Sequence, residues 1–333
     1  MTVPAGRMPA ALAPRWRPGA RPRGTPKRHR GRARVRLEYV ALRVVMGLLG
    51  ALPLSLALRL GELGALLAYG LDVPHRRTGM VNLGIAFPER PLRERRRILR
   101  HSFLNLGRMA AELAHLPRLS DHQLRGMVRF EDEAWWEQAI GWERSTGVLV
   151  LSGHFGNWEL LVFAHGRRGH PVHMVHRTIA NALVDRWLSG LRRRAGTRMI
   201  RKSEGAGGVL QALHERGLLV LPIDQNSTRG LGVFVDFFGL PASTNSGMAR
   251  IALRTDAPIV PVFIVREGRS ARHRVHLLPI LQVERTGEPS EDVRRNTQRF
   301  TAVLEDMVRR HPEQWLWMHR RWKTRPPGEP RLY

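Results

Sequence analysis

The sequence predicts an α/β protein in which a mostly parallel sheet is covered by helices on both faces. Short runs such as Val148–Leu151 and Ile259–Val265 are apolar at every position, which is typical of strands buried on both faces. Helical segments of roughly ten residues, such as Trp158–Arg168, alternate with these runs. Polar residues follow directly after two of the strands, His154 after the first and Asp224 after Leu218–Ile223.

The composition restricts the possible partners. The chain has 333 residues and a formal charge of +27, from 55 Lys and Arg against 28 Asp and Glu. Such an excess favours an anionic partner, either nucleic acid, an acidic lipid surface, or an acidic carrier and substrate. The alternative explanation for part of the excess is a GC-rich genome, which would favour arginine. The chain has no cysteine, so disulfides and thiolate metal sites are excluded.

The N-terminal part divides into two segments. Residues 1–36 contain eleven Arg and Lys and no acid, and we predict a disordered basic tail. Residues 37–75 are strongly apolar and predict helices that dip into one membrane leaflet, with Arg43 and Arg59 reaching the headgroups. A single tilted span and a buried hairpin in the core are alternatives, since the uninterrupted apolar run Val44–Leu58 is short for a span.

The rest of the chain is predicted to form one main domain, residues 76–326, and a short tail, 327–333. Leu92–Leu116 has a helical apolar period and a face rich in arginine. We interpret that face as solvated, with contact to anionic lipid as the alternative. A further amphipathic helix is predicted over Val293–Arg310, and Arg274–Leu278 is predicted to pair with Ile259–Val265.

His154 and Glu159 are the first candidates for chemistry. A neutral imidazole can remove a proton from a hydroxyl, and a carboxylate at fixed distance can hold its tautomer. At the carboxyl end of a buried strand His154 stands where open α/β sheets bind ligands, and Glu159 would lie in the first turn of the next helix. Backbone N–H groups near Gly153–Asn157 could stabilise an oxyanion. A zinc site and a capping histidine with a surface carboxylate are the alternatives.

Other candidates follow at further strand ends. Asp224 and Gln225 end a second buried strand on the same rim, where the alternative is a loop carboxylate. Residues Val233–Ala242 are predicted to form an apolar, aromatic loop. It either packs in the core or lines a channel for an apolar chain near Phe234–Phe238. Arg177 follows a third strand, and arginine binds phosphate bidentately.

Several of these segments together resemble the bacterial lipid A biosynthesis (lauroyl/myristoyl) acyltransferases, within the lysophospholipid acyltransferase superfamily. The matching segments, in order and at family spacing over roughly residues 38–326, are Asn82-Leu83 with Phe87-Pro88-Glu89, Ser-Gly-His154-Phe-Gly-Asn157-Trp-Glu159, Pro-Ile-Asp224-Gln225, Asp-Phe-Phe238-Gly239-Leu-Pro-Ala242-Ser-Thr244, Pro258-Ile-Val-Pro261-Val, and Pro312-Glu313-Gln314-Trp315-Leu316-Trp317 with Arg320-Arg321-Trp322-Lys323.

The resemblance implies a glycerolipid acyltransferase-like αβα fold with N-terminal membrane-associated helices. It implies transfer of a fatty acyl group from acyl carrier protein or coenzyme A to a hydroxyl of a membrane glycolipid, with no metal and no other cofactor. His154 would be the general base and Glu159 its partner. The expected substrate-binding residues are Asn157, Arg177, Arg194, Asp224 and Gln225.

Two features leave the acceptor open. The 36-residue basic tail is additional, and His-Arg177-Thr-Ile-Ala-Asn departs from the Tyr-Arg-Pro form common in the family. A lipid A precursor, a phosphatidylinositol mannoside and another lysolipid are the possible acceptors. The expected location is the inner membrane, with the active site facing the cytoplasm.

Two further alternatives concern the function itself. A basic nucleic-acid-binding protein would use the charge but would leave the apolar N-terminal region unexplained. An inert membrane-associated relative is disfavoured by the intact His154 and Glu159.

Overall fold

The computed structural model describes residues 31–132, 134–136, 146–176, 178–201, 205–228, 230 and 232–333. Its N-terminal part is helical. The helices there are α1 (Arg32–Ala51), α2 (Leu54–Leu71), α3 (Val73–Ala86), α4 (Leu92–His115) and α5 (Asp121–Met127). Pro53 separates α1 from α2. Ser120 is the N-cap residue of α5 and forms a capping box with Gln123.

Strands and helices then alternate, as the sequence predicts. The strands are β1 (Val128–Phe130), β2 (Val148–Ser152), β3 (Val172–His176), β4 (Arg198–Arg201), β5 (Leu218–Pro222), β6 (Gly232–Phe237), β7 (Leu240–Asn245), β8 (Ile259–Arg266) and β9 (His273–Leu277). The remaining α-helices of the described residues are α6 (Trp158–Arg167), α7 (Ala182–Arg194), α8 (Gly205–His214), α9 (Gly247–Thr255) and α10 (Pro289–Arg310).

Seven strands form the main sheet, in the order β1-β9-β8-β2-β5-β3-β4. Within the described residues every neighbouring pair is parallel except β8 with β9, which is antiparallel. The predicted mostly parallel sheet and the pairing of β9 with β8 are therefore confirmed. β2 lies at the centre of the sheet, between β5 and β8.

Alternate residues of β2 face two different cores. Leu149 and Leu151 belong to a core that also contains Phe300 and Leu304 of α10. Val148 and Val150 belong to a second core, which includes residues of α6. Because each face of the sheet is covered by helices, β2 is buried along its whole length.

The N-terminal helices differ from the prediction at one boundary. Helix α1 begins at Arg32, so residues 32–36 are helical and do not belong to a disordered tail. Residues 1–30, the rest of that predicted tail, lie outside the described residues. Helix α2 crosses α4 closely at Gly61 and Gly107. A Cβ at either glycine would collide with the backbone carbonyl of the other, so the crossing requires both glycines.

The segment expected as a loop over residues 233–242 is instead a hairpin. β6 pairs antiparallel with β7, and the two-residue turn places Phe238 at φ 55° and Gly239 at φ 75°. Phe237 and Phe238 are buried and contact Trp315, Trp317 and Trp322, which are buried as well. Of the two predicted alternatives, the structure shows core packing for these two rings.

Candidate active site

The site is assembled by the register of two neighbouring strands. β2 and β5 run parallel with Ser152 opposite Pro222. His154 and Asp224 each lie two residues beyond these partners, so both emerge at the carboxyl edge of the sheet. The register alone therefore brings the two side chains together, although Asp224 follows a separate strand.

Asp224 holds His154 in place. Its Oδ1 lies 2.8 Å from Nδ1 of the imidazole, and its Oδ2 accepts the backbone N–H of His154 at 2.7 Å. The indole Nε1 of Trp315 donates to Oδ2 at 3.0 Å. Asp224 is only 2 % exposed, so these three donors supply the stabilisation that a buried carboxylate needs.

The tautomer of His154 follows from this geometry. A carboxylate only accepts hydrogen bonds, so Nδ1 carries the proton and the lone pair of the neutral ring lies on Nε2. The amide Nε2 of Gln225 lies 3.2 Å from that atom. The imidazole is partly accessible, with 22 % of the side chain exposed, and Nε2 is thus positioned as a base.

His154 and Asp224 each favour the charged form of the other. Burial favours a neutral imidazole, but the charge and hydrogen bond of Asp224, with a smaller effect of Glu159, raise the pKa of His154 above its ordinary value. Burial would likewise raise the pKa of the Asp224 carboxyl, yet His154 and Trp315 lower it to about 2. At neutral pH Asp224 is a carboxylate.

The loop after β2 is fixed from the other side by the C-terminal segment. The N–H of Leu316 donates to the carbonyl of His154 at 3.1 Å, and the N–H of Gly156 donates to the carbonyl of Gln314 at 2.9 Å. Gly156 has φ 59°, and a Cβ there would collide with the carbonyl of Ile264. Only glycine fits this turn.

The same bonds bear on the predicted oxyanion donors. The N–H groups of His154, Phe155 and Gly156 already donate to Asp224, to the carbonyl of Gly153 and to that of Gln314. In this arrangement three of the N–H groups expected to stabilise an oxyanion are occupied.

Glu159 does not form the predicted hydrogen bond with His154. Its carboxylate forms a bidentate ion pair with Arg192 of α7, at 2.9 Å to Nε and 2.5 Å to Nη2. The side chains are 6 % and 12 % exposed. The expectation was wrong in this contact because it considered only the helix that follows His154, whereas a second helix brings in an arginine and a second strand brings in Asp224.

The other predicted substrate residues are distributed as follows. Asn157 is fully buried, and its side chain caps α6 at the N–H of Leu160 and donates to Glu112 at 2.7 Å, so it is a structural residue. Arg194 is exposed at the end of α7 and does not line the cleft described next. Arg177 lies outside the described residues.

A cleft of about 550 Å³ opens in front of the imidazole. His154, Gln225, Asn226 and Arg192 line it, together with residues 174–176 of β3 and with Thr178 and Ile179. Within the described ranges, no three His, Asp or Glu side chains are grouped so that they could hold a metal ion. The arrangement is a histidine held by a buried carboxylate beside a cleft of substrate size, and such a pair can supply a general base.

Trp315, Arg192 and His319 were not predicted as site residues. Nε2 of His319 accepts the N–H of Asn226 at 2.9 Å, and burial lowers the pKa of His319 to about 4, so it is neutral at pH 7. A buried tryptophan usually needs a partner for its N–H. That requirement, together with the position of Trp315 in one of the segments that resemble the family, could have indicated Trp315.

The chain is also similar in sequence to known proteins. Residues 28–324 match the family model described as bacterial lipid A biosynthesis acyltransferase. The chain is 28 % identical over 300 residues to a lipid A biosynthesis lauroyltransferase of Escherichia coli. The aligned residues make up 87 % of this chain and 92 % of the relative.

Two further relatives come from the same organism. The palmitoleoyltransferase is 27 % identical over 253 residues, covering 76 % of this chain and 80 % of the relative. The myristoyltransferase is 24 % identical over 262 residues, covering 78 % of each chain. Because the family model spans most of its length, the chain belongs to the bacterial lipid A biosynthesis acyltransferase family.

Proposed function

We propose that this acyltransferase moves a fatty acyl group from a thioester donor to a hydroxyl of a lipid A precursor. The observation that supports this most is the Asp224–His154 pair, whose unprotonated Nε2 lies beside the Gln225 amide at a cleft about 550 Å³ in volume. The names of the relatives support lipid A as the acceptor and a lauroyl, myristoyl or palmitoleoyl group as the acyl chain.

The mechanism that we propose uses the substrate's own hydroxyl as nucleophile. Nε2 of His154 removes the hydroxyl proton, and the oxygen attacks the thioester carbonyl carbon. The tetrahedral intermediate then expels the thiolate, which takes the proton back from the imidazolium. The products are the new ester and the free thiol of acyl carrier protein or coenzyme A, and no metal or other cofactor takes part.

Asp224 has the orienting role in this proposal. Its carboxylate keeps the proton on Nδ1 and stabilises the imidazolium that forms during attack. Gln225 and Arg192 line the same cleft and carry N–H donors, so we assign oxyanion stabilisation to that wall of the cleft.

Glu159 becomes a positioning residue. Its ion pair with Arg192 joins the first turn of α6 to the last turn of α7, and so fixes Arg192 in the cleft wall. Glu159 also contributes negative charge that favours the protonated form of His154.

We further propose that α1 and α2 lie in the cytoplasmic leaflet of the inner membrane. In the described part of the chain, ten of the twelve large exposed hydrophobic side chains are on these two helices. In those same residues α2 is the one helix long and apolar enough to cross a bilayer, and 22 % of it is buried. A buried hairpin in the core would not expose these side chains.

The cleft opens beside this apolar surface. Asn181 caps α7 and its amide donates to the carbonyl of Val35 in α1 at 2.9 Å and to Glu38 at 3.1 Å. Thr178 and Ile179, just before this cap, line the cleft. A lipid acceptor could therefore reach His154 from the membrane, while the thioester donor arrives from the cytoplasm.

Mass spectrometry of membrane lipids tests this function. A strain that lacks the gene should contain lipid A with one acyl chain fewer, and the chain should return with the wild-type gene but not with His154→Ala. Loss of an acyl chain from a different lipid would overturn the assignment of lipid A as the acceptor.

A further inference from the structure

A second, strongly basic cleft lies behind the loop that carries His154. Its volume is about 470 Å³, and α4, the β8–β9 turn and the end of α10 enclose it. Among the described residues that line it there are seven arginines and one carboxylate, Glu313. Asn105 lines this cleft and donates to the carbonyl of Gly156 at 3.3 Å, so the cleft contacts the back of the catalytic loop.

Arg108 indicates that this cleft is built to bind an anion. The residue is 4 % exposed, and its Nε donates to Glu62 at 2.5 Å. Its Nη2 is buried and has no hydrogen-bond partner among the residues that the structure describes. A buried guanidinium N–H without an acceptor is costly, and an anion in the cleft would satisfy it.

The carboxylates around the cleft do not neutralise all of its arginines. Glu62 serves both Arg108 and Arg269, the latter at 2.6 Å, so one carboxylate faces two positive charges. Arg97 lines the cleft and is exposed, and it forms no ion pair with a carboxylate of the described residues. Arg266, Arg309 and Arg310 pair with Glu112, Glu305 and Asp306.

The electrostatics of Arg108 agree with a missing negative charge. Burial lowers the pKa of its guanidinium, and the neighbouring charges of Arg266 and Arg269 lower it further, against the opposing effect of Glu62. An anion held between Arg97, Arg108 and Arg269 would relieve this repulsion.

The position of the cleft favours a lipid as the source of the anion. Glu62, which binds Arg108 and Arg269, is part of α2, and Leu60 and Leu63 of the same helix are exposed. An anionic group that reaches the cleft can therefore belong to a molecule whose acyl chains contact α2.

We propose that this cleft binds the phosphate of an anionic phospholipid headgroup at the membrane surface. The site is separate from the catalytic cleft and does not depend on acyl transfer. Arg108 and Arg97 hold the phosphate oxygens, and Arg269 adds charge at the rim. The bound lipid fixes the enzyme on the bilayer with α4 and the back of the His154 loop facing the headgroups.

Vesicle binding tests this proposal. The measured quantity is the ratio of affinities for phosphatidylcholine vesicles with and without phosphatidylglycerol, at constant ionic strength. Arg97→Gln should reduce the ratio by about fivefold or more. Arg100→Gln is the matched control, because Arg100 is exposed on the same helix and does not line the cleft. An equal loss for both variants would overturn the proposal, since it would report only general surface charge.

Arg108→Lys separates a shaped site from charge alone. Lysine keeps the positive charge beside Glu62 but cannot offer two N–H groups to two partners in the same geometry. We expect the ratio to fall for this variant as well, and a ratio equal to that of the wild type would contradict the proposal. Arg108 is buried, so Arg108→Lys could lower the ratio through a folding defect. Arg97 is exposed, so a lower ratio for Arg97→Gln does not have that explanation.

Inorganic phosphate distinguishes a lipid from a free anion. Phosphate at constant ionic strength should compete with anionic vesicles for the wild type and should compete less for Arg97→Gln. A different result would show that the headgroup assignment is wrong. In that case inorganic phosphate binds the wild type more tightly than Arg97→Gln, but the wild type has equal affinities for vesicles with and without phosphatidylglycerol. His154→Ala should retain the wild-type ratio, so failure of this proposal is distinguishable from failure of the proposed catalysis.

Discussion

Nδ1 of His154 lies 2.8 Å from Oδ1 of Asp224, although 70 residues of chain separate the two side chains. The register of two neighbouring parallel strands produces this contact. Trp315, in the C-terminal segment, donates a further hydrogen bond to Asp224. The direct hydrogen-bond partner of His154 therefore follows a different strand and does not lie on the helix that follows the histidine.

Asp224→Asn should reduce kcat more than Glu159→Gln does. An asparagine can present its N–H to Nδ1 and so favour the tautomer whose lone pair does not face the cleft. We expect a loss of about 10²–10⁴-fold for Asp224→Asn, with KM little changed. Steady-state kinetics with purified protein measures this. A larger loss for Glu159→Gln than for Asp224→Asn would show that the orienting role had been assigned to the wrong carboxylate.

The pH dependence of the reaction should report His154. Only the neutral imidazole can accept a proton, so kcat/KM should fall as the pH drops through the pKa of His154 in the free enzyme. Because Asp224 raises that pKa, the midpoint should lie above the ordinary value of 6.5. Asp224→Asn removes the negative charge and should move the midpoint to lower pH. An unchanged midpoint in this variant would contradict the assignment.

The ion pair between Glu159 and Arg192 should contribute to stability in a way that depends on both partners. Removing either side chain leaves a mostly buried charge without its partner, at a cost of about 3–5 kcal/mol. The double variant Glu159→Leu/Arg192→Met should recover most of the lost free energy of unfolding. Denaturant unfolding of the two single variants and the double variant measures this. Additive losses in the double variant would contradict the coupling.

That double variant also separates structure from activity. Arg192 lines the catalytic cleft, so activity should remain low even where the fold is restored. Recovery of both together would indicate that Arg192 has only a structural role.

Substitutions on the apolar face of α2 should release the protein from membranes. Leu63 and Leu67 are 60 % and 63 % exposed, and burying the exposed part of each in lipid is worth about 1–2 kcal/mol. The double variant Leu63→Gln/Leu67→Gln should shift the protein toward the soluble fraction in cell fractionation. His214→Gln, at an exposed residue of α8 outside the proposed membrane-facing helices α1, α2 and α4, is the control and should leave the distribution unchanged. An equal shift for the control would contradict a specific membrane face.

The sheet could be predicted from the sequence because its strands are apolar at every position. Val148–Leu151 and Ile259–Val265 have no polar face that a different packing could expose, so a two-sided burial was the one consistent interpretation. The hairpin β6–β7 was missed, since its turn uses Phe238 at positive φ, where the sequence has no Asn-Gly or Asp-Gly signal.

The candidate site was predictable in its residues but not in its contacts. His154 and Asp224 were expected on one rim, because the carboxyl ends of parallel strands meet at one edge. The order of the strands in the sheet determines which carboxylate lies next to the imidazole. The periodicity of the sequence does not give that order. The pairing of Glu159 with Arg192 depends on how two helices pack, which local spacing cannot indicate.

Turnover by purified His154→Ala tests the central claim most directly. The assay uses a lipid A precursor and an acyl thioester, with the wild type and His122→Ala as references, because His122 is exposed on α5 and does not line the catalytic cleft. We predict a loss of about 10²–10⁴-fold or more for His154→Ala and wild-type turnover for His122→Ala. Turnover of His154→Ala within a few-fold of the wild type would contradict the assignment of His154 as the base.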